Sequence, residues 1–212
     1  MPKKLKSSAR KSRRNKRIGV AVSIIAVVAV AASLVFFYSQ SRPDNTPVVQ
    51  GKVLLNVSWV DDANTTRTGN ITIQLRDDKP ITSGNFKSLV EQGRYDGSIF
   101  HRVIEGFMIQ GGKVNGSVTP INDEIGSDNH NANGTIAMAN AGPNTATSEF
   151  FINVADNSNL YASFDTSYTV FGNVVQGMDV VMSISHVPVD DPASQSPKPL
   201  QDVTIISAEI LP

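Results

Sequence analysis

The run IGVAVSIIAVVAVAASLVFFY, Ile18 to Tyr38, is 21 residues long and contains no charge, Pro, Asn or Gln. As a helix rising ~1.5 Å per residue, it matches the roughly 30 Å hydrocarbon core of a bilayer. Whatever else this chain folds into must lie on one side of that run or the other. Ahead of it, residues 1–17 hold nine of the 19 Lys and Arg and no acid, so the neutral total hides a basic leader and a remainder with ten basic residues against 19 acidic ones. The excess of positive charge before the run, against Arg42 alone just after it, predicts a cytoplasmic tail (1–17), a transmembrane signal-anchor (18–38) and an extracytoplasmic remainder. Phe36, Phe37 and Tyr38 suit the interfacial belt at the exit. A cleaved signal peptide is the competing reading, but its apolar region runs about 7–15 residues and ends at a small-x-small site, which FFYSQS supplies poorly. The position of the basic run beside a spanning segment accounts for it, so no nucleic-acid partner is expected.

The chain has no cysteine. Disulfides, metal thiolates and a Cys nucleophile are thereby excluded, and the exported part must be stabilised by its core, for which ~160 residues suffice. Residues 39–50, SQSRPDNTPVVQ, have the Pro, Ser, Asn and Asp content of a linker. The folded domain is expected over 51–212. Five Asn-x-Ser/Thr tripeptides follow the anchor, at Asn56, Asn64, Asn70, Asn115 and Asn133; they are glycan acceptors in a cell that modifies exported proteins.

Within the domain, KVLLNVSWV and NITIQLR are β-rich, and in the second Ile71, Ile73 and Leu75 alternate with Thr72, Gln74 and Arg76, as in a strand with one buried face. Asp61–Gly69 between them reads as a hairpin loop. ITSGNFKSLVEQGRYDG predicts an amphipathic helix of about ten residues, capped by Thr82 or Ser83, with Phe86, Leu89 and Val90 inward and Gly93 at its end. Then come SIFHRVI, FMIQGG, GTIAMAN, EFFINVA and YTVFGNVV, a second short helix GMDVVMSIS, a Pro-rich loop HVPVDDPASQSPKPL and a closing strand DVTIISAEIL. Many short strands with two helices indicate an all-β barrel or sandwich.

FHRVIEGFMIQGG places Arg102 and Gln110 among Phe, Val, Ile and Met, with no nucleophile beside them. YDGSIFHRVIEGFMIQGG (95–112), GTIAMANAGPNTATSEFFINVA (134–155) and VFGNVVQGMDVV (170–181), in this order and spacing, resemble the cyclophilin family of peptidyl-prolyl cis-trans isomerases, here of a membrane-anchored, prokaryotic-like kind. The resemblance implies a closed eight-stranded antiparallel β-barrel capped by two helices, no cofactor and no metal, and proline-containing polypeptides as partners of a monomeric catalytic domain.

It also implies roles. Arg102 would donate to the prolyl nitrogen, with Gln110 orienting it and Phe107 beside it. Phe107, Met108, Phe151 and Leu160 would line the proline pocket, and Ala139, Asn140 and Ala141 would pair with peptide backbone. Taken singly, Phe107, Met108 and Phe151 read as core residues, Arg102 as a surface ion-pair partner, and Gln110 or Asn140 as satisfied turn residues. His101 matches a family position as a structural neighbour of the site. This chain departs from familiar members at Glu149 (glutamine there), which would steady Arg102 or compete with substrate for it, and at Tyr168 (histidine there), whose ring can still wall the pocket. Asn159 replaces the tryptophan of cyclosporin-sensitive members, which implies weak cyclosporin binding. Lys113 stands where aspartate is common, without a functional account. His130 and His186 lie in polar loops without evident partners, so metal binding there is not expected.

The expected function is isomerisation of X-Pro bonds in exported or membrane-proximal polypeptides, assisting their folding. A non-catalytic binding module or chaperone for Pro-containing segments is the alternative.

Overall fold

Side chains that alternate in polarity fix the first strand, β1 (Lys52–Val60), which buries Val53, Leu55, Val57 and Trp59 and turns the intervening residues outward. The computed structural model describes residues 51–161 and 163–212; the tail, anchor and linker expected over 1–50 lie outside the described residues. Seven further strands follow: β2 (Thr66–Leu75), β3 (Ile99–Ile104), β4 (Met108–Gly111), β5 (Thr135–Met138), β6 (Phe150–Asn153), β7 (Val170–Gln176) and β8 (Val203–Leu211). They pair in the order β1-β2-β7-β5-β6-β4-β3-β8, and β8 returns antiparallel to β1 to close a barrel. The closed eight-stranded antiparallel barrel implied by the family resemblance, and not the sandwich left open by the strand pattern, is therefore the fold. Its interior is filled by side chains such as Ile71, Ile73, Phe100, Ile109, Ile136, Ile152, Phe171 and Val203, each fully buried, as a barrel of this strand number requires.

Two helices pack on the barrel, one against β7 and β8 and the other against β2, β3 and β4. α1 (Pro80–Glu91) buries Phe86, Leu89 and Val90, and the Phe86 ring meets Tyr95, Phe150 and Phe171 at centroid distances of 5.1, 5.4 and 5.1 Å. Full burial of such a ring stabilises by about 1.5–3 kcal/mol. A third and shorter helix, α2 (Asn157–Leu160), was not foreseen from the sequence. α3 (Met178–Ser185) buries Val181 and Ile184, and the Trp59 indole donates to Ser183 Oγ at 3.1 Å. α3 is entered through Gly177 at φ +83°, where a Cβ would collide with the Asn70 carbonyl. Among the described residues no helix is long and apolar enough to cross a membrane.

Two local expectations are corrected. The β1–β2 connection is shorter than Asp61–Gly69: pairing resumes at Thr66, opposite Val60. The Asp61 carboxylate accepts from Thr65 N–H at 2.8 Å and from Arg67 Nε at 2.7 Å, closing a tight turn with Asn64 at φ +56° and leaving the β-branched Thr66 and Thr68 to the strand. The α1 N-terminus is not capped by Thr82 or Ser83. The helix begins at Pro80, and both of those residues are buried in its first turn. Ser83 Oγ instead donates to the Arg76 carbonyl at 2.7 Å. The orphan amides are taken by a carboxylate 42 residues away: Glu124 Oε1 accepts Ile81 N–H at 3.1 Å, and Oε2 accepts Thr82 N–H at 2.8 Å and Thr82 Oγ1 at 2.7 Å. An anion there also complements the helix dipole.

Glu124→Ala is expected to destabilise the domain by about 1–2 kcal/mol. Urea unfolding should show a lower midpoint at unchanged slope; an unchanged midpoint would remove the capping role.

Candidate active site

β3 carries a fault in its alternation from which the site is built. Phe100 pairs with Gly111 and Arg102 with Gln110, so the register shifts between them and the strand has one residue too many. This is a β-bulge, a device that re-aims side chains. Phe100 and Val103 remain buried while the two residues between them, His101 and Arg102, are both half-buried on the outside.

Directly paired residues in antiparallel strands share a face. Arg102 pairs with Gln110, Gln110 with Phe151, Phe151 with Ala137, and Ala137 with Val170. This row crosses five strands on the outer face, while Val103, Ile109, Ile152 and Ile136 of the same strands point inward. Met108, two residues from Gln110, joins the row. Met108, Ala137, Phe151 and Val170 thus form a second apolar cluster, separate from the barrel interior, with Ile104, Phe107, Ala139, Phe164 and Tyr168 packed against it. The β3–β4 turn, with Gly106 at φ +68°, swings Phe107 back until its ring centroid lies 5.8 Å from the Arg102 guanidinium carbon.

Phe107, Met108, Phe151 and Tyr168 are thus brought together, and Leu160 is not. Leu160 is 59% exposed and lies outside the cluster, because α2 turns it to solvent. Phe164 occupies the centre instead, with ring centroids 5.4 Å from Phe107, 5.9 Å from Phe151 and 4.9 Å from Tyr168. A lone Phe in the polar run ASFDTSY was the available signal, since an aromatic side chain in such a loop needs a surface to cover. Tyr161 packs on Phe107 at 5.2 Å and remains half-exposed.

The polar half is a relay. Arg102 Nη1 donates to Gln110 Oε1 at 3.1 Å and lies 3.8 Å from Met108 Sδ. Gln110 Nε2 donates to Glu149 Oε2 at 3.1 Å, and His101 Nε2 stands 3.4 Å from that same oxygen. Glu149 therefore reaches Arg102 only through Gln110, neither pairing with it nor blocking it. A carboxylate can only accept, so Gln110 must turn its NH2 to Glu149 and its carbonyl to Arg102. The hydrogen bond from His101, with help from Gln110 and the nearby charge of Lys113, holds the Glu149 carboxyl below its ordinary range against the opposing effect of burial. This gives Lys113 an electrostatic part in the site. Burial draws the Arg102 guanidinium below its ordinary value, yet arginine stays cationic at any pH where the fold persists.

Asn140 Nδ2 donates to the Ser167 carbonyl at 2.7 Å, tying the 139–141 segment to the loop that carries Phe164 and Tyr168. Ala139 N–H donates to the Glu149 carbonyl at 2.9 Å, and Ala141, exposed, donates its N–H to Thr145 Oγ1 at 2.9 Å. That loop is anchored from beneath by Asp165, which accepts Asn131 N–H at 2.7 Å and Ser158 Oγ at 2.9 Å and faces His130 Nδ1 at 3.1 Å. His186 Nε2 lies 3.2 Å from Glu105. Both histidines therefore have carboxylate partners, contrary to the sequence reading, which could not see across the fold.

Comparison with known proteins points the same way. The family model described as Cyclophilin type peptidyl-prolyl cis-trans isomerase/CLD matches residues 62–210. The chain is 47% identical to a peptidyl-prolyl cis-trans isomerase of Acinetobacter baylyi, over 68% of this chain and 82% of that protein. It is 42% identical to peptidyl-prolyl cis-trans isomerase cyp18 of Streptomyces antibioticus, over 69% and 95%. To peptidyl-prolyl cis-trans isomerase B of Escherichia coli it is 41% identical, over 68% and 96%.

A depressed carboxyl stabilises the fold above the ordinary carboxylate range, and that contribution is lost as pH falls through the lowered value. The stability advantage of wild type over Glu149→Gln is therefore expected at neutral pH and should close on acidification below about pH 4. Urea unfolding across a pH series checks this; a gap that widens toward acid would reverse the assignment.

Proposed function

The chain belongs to the cyclophilin family of peptidyl-prolyl cis-trans isomerases, and from that membership we propose how its own side chains carry out the reaction and where they do so. The enzyme isomerises X-Pro bonds in proline-containing polypeptides. The barrier of ~18–20 kcal/mol comes from amide resonance, so no nucleophile is needed: the twisted amide has to be bound better than either planar form.

In this reading the proline ring sits on the outer apolar cluster, against Met108 and Phe151, walled by Phe107, Phe164 and Tyr168. Rotation makes the prolyl nitrogen pyramidal and gives it a lone pair. Arg102 donates a hydrogen bond to that lone pair, which the planar ground state does not offer. Gln110, oriented by Glu149, holds the guanidinium at Nη1. Ala139, Asn140 and Ala141 receive the peptide backbone as an added strand, which holds one side of the bond while the preceding carbonyl turns. The observation that carries this reading is that Arg102 and the apolar cluster share one face of the barrel, through directly paired residues of neighbouring strands. A charged hydrogen bond of roughly 1.5–3 kcal/mol amounts to about 10- to 150-fold in rate, and the remainder falls to the grip on the ring.

The uncharged run Ile18–Tyr38 and the basic residues before it support a single-pass anchor with the catalytic domain outside the cytoplasm, acting on exported or membrane-proximal chains. An isomerase driven by binding energy alone suits a compartment without ATP.

Arg102→Ala is expected to lower kcat/KM by at least about tenfold with an unchanged unfolding midpoint; wild-type turnover by that variant, in an NMR exchange assay on an X-Pro peptide, refutes the assigned role. The full chain is expected to stay with membranes after alkaline carbonate washing and to be digested by protease added to the outer face. Release into the soluble fraction refutes the anchor.

A further inference from the structure

The Pro-rich loop after α3 reaches the site. Residues 186–200 leave the helix and return to β8 as a closed-base strap. Leu200 N–H donates to the Pro188 carbonyl at 2.8 Å, and Val189 bridges Pro199. Asp190 N–H donates to the Lys198 carbonyl at 2.9 Å, while Asp190 Oδ1 accepts the amides of Lys198 and Asp191, each at 2.8 Å. The tip then lies along β3. β8 pairs with β3 only at Ile99 and Phe100, so beyond the bulge that edge of β3 needs another partner. The strap supplies it: the carbonyl of buried Pro197 accepts Val103 N–H at 3.1 Å, and the Gln195 carbonyl accepts Arg102 Nε–H at 2.9 Å.

The geometry points to residues 190–199 as the element that aims Arg102, with the Gln195 carbonyl as its positioning group. The inference rests on the reading of Arg102 as the donor to the prolyl nitrogen. A guanidinium held at one nitrogen can still swing about that contact. Held at Nε by Gln195 and at Nη1 by Gln110, its plane is fixed, and Nη2 is left without an acceptor among the described residues. A long side chain then enters the reaction with its rotamer freedom already removed, which is how preorganised donors gain their effect. A backbone carbonyl suits the task because it accepts at every pH and its position is set by the paired base of the strap. The side chain of Gln195 itself is not required.

The test replaces the amide between Gln195 and Ser196 with an ester in the full chain, which weakens the Gln195 carbonyl as an acceptor and leaves every side chain in place. The change also removes the Ser196 N–H that donates to Ser194 Oγ at 3.1 Å, so Ser194→Ala is the matched control. The ester protein is expected to lose about five- to tenfold in kcat with KM within about twofold, and its Arg102 Nε–H resonance should exchange faster with solvent. Ser194→Ala should turn over like wild type. In an Arg102→Ala background the ester should change nothing, because coupled groups are non-additive. Wild-type turnover by the ester protein overturns the proposal, as does an equal fractional loss in both backgrounds, which would mark the strap as merely structural. If Arg102→Ala itself turns over like wild type, the role of Arg102 fails, and the strap's role with it; if only the ester is silent, the strap alone fails.

Discussion

A single extra residue in β3 is the constraint from which the candidate active face follows. Ordinary alternation after Phe100 would put His101 outside and Arg102 inside, where an arginine in a filled barrel would be an uncompensated charge. The bulge lets Phe100 and Val103 keep their places in the interior while two successive polar side chains emerge together. The pairing of β3, β4, β6, β5 and β7 then sets Arg102, Gln110, Phe151, Ala137 and Val170 in one row. The barrel serves chiefly as a rigid frame that fixes the spacing of that row, which suits a reaction whose catalyst works by geometry and donates no proton.

The relay behind Arg102 shows how a departure from the familiar family pattern can sharpen a site. A glutamine at position 149 could donate or accept, so a neighbouring amide could face either way. The carboxylate leaves no such choice. Glu149 accepts from Gln110 and lies within reach of His101 Nε2, while the buried His101 Nδ1 has no partner among the described residues. Orientation is thus imposed by a group that never touches the guanidinium.

How much of this was legible in the sequence depended on the range of the interaction. Period-2 patterns gave the strands, because Ile71, Ile73 and Leu75 declare a face without help from elsewhere. The amphipathic pattern around Phe86 gave α1, but not its cap, because the capping carboxylate lies 42 residues away. The motif resemblance led to Arg102, Gln110, Phe107, Met108 and Phe151. It misplaced the pocket wall in the loop after β6, where no periodicity constrains the chain and Phe164 rather than Leu160 turns inward. The carboxylate partners of His130 and His186 and the hold on Arg102 by the Gln195 carbonyl were equally out of reach. A backbone acceptor has no sequence signature, and ion pairs between distant loops have none until the fold brings them together.

Closure of the barrel through β1 and β8 joins Lys52 to Leu211, so the two ends of the domain are neighbours in the finished sheet. A chain emerging in order from a ribosome or a translocation channel has seven strands exposed before the eighth arrives. During that interval β1 and β3 both lack the partner that β8 supplies, and each presents an open edge to other chains. The isomerase domain therefore completes its own fold only after synthesis has passed residue 211.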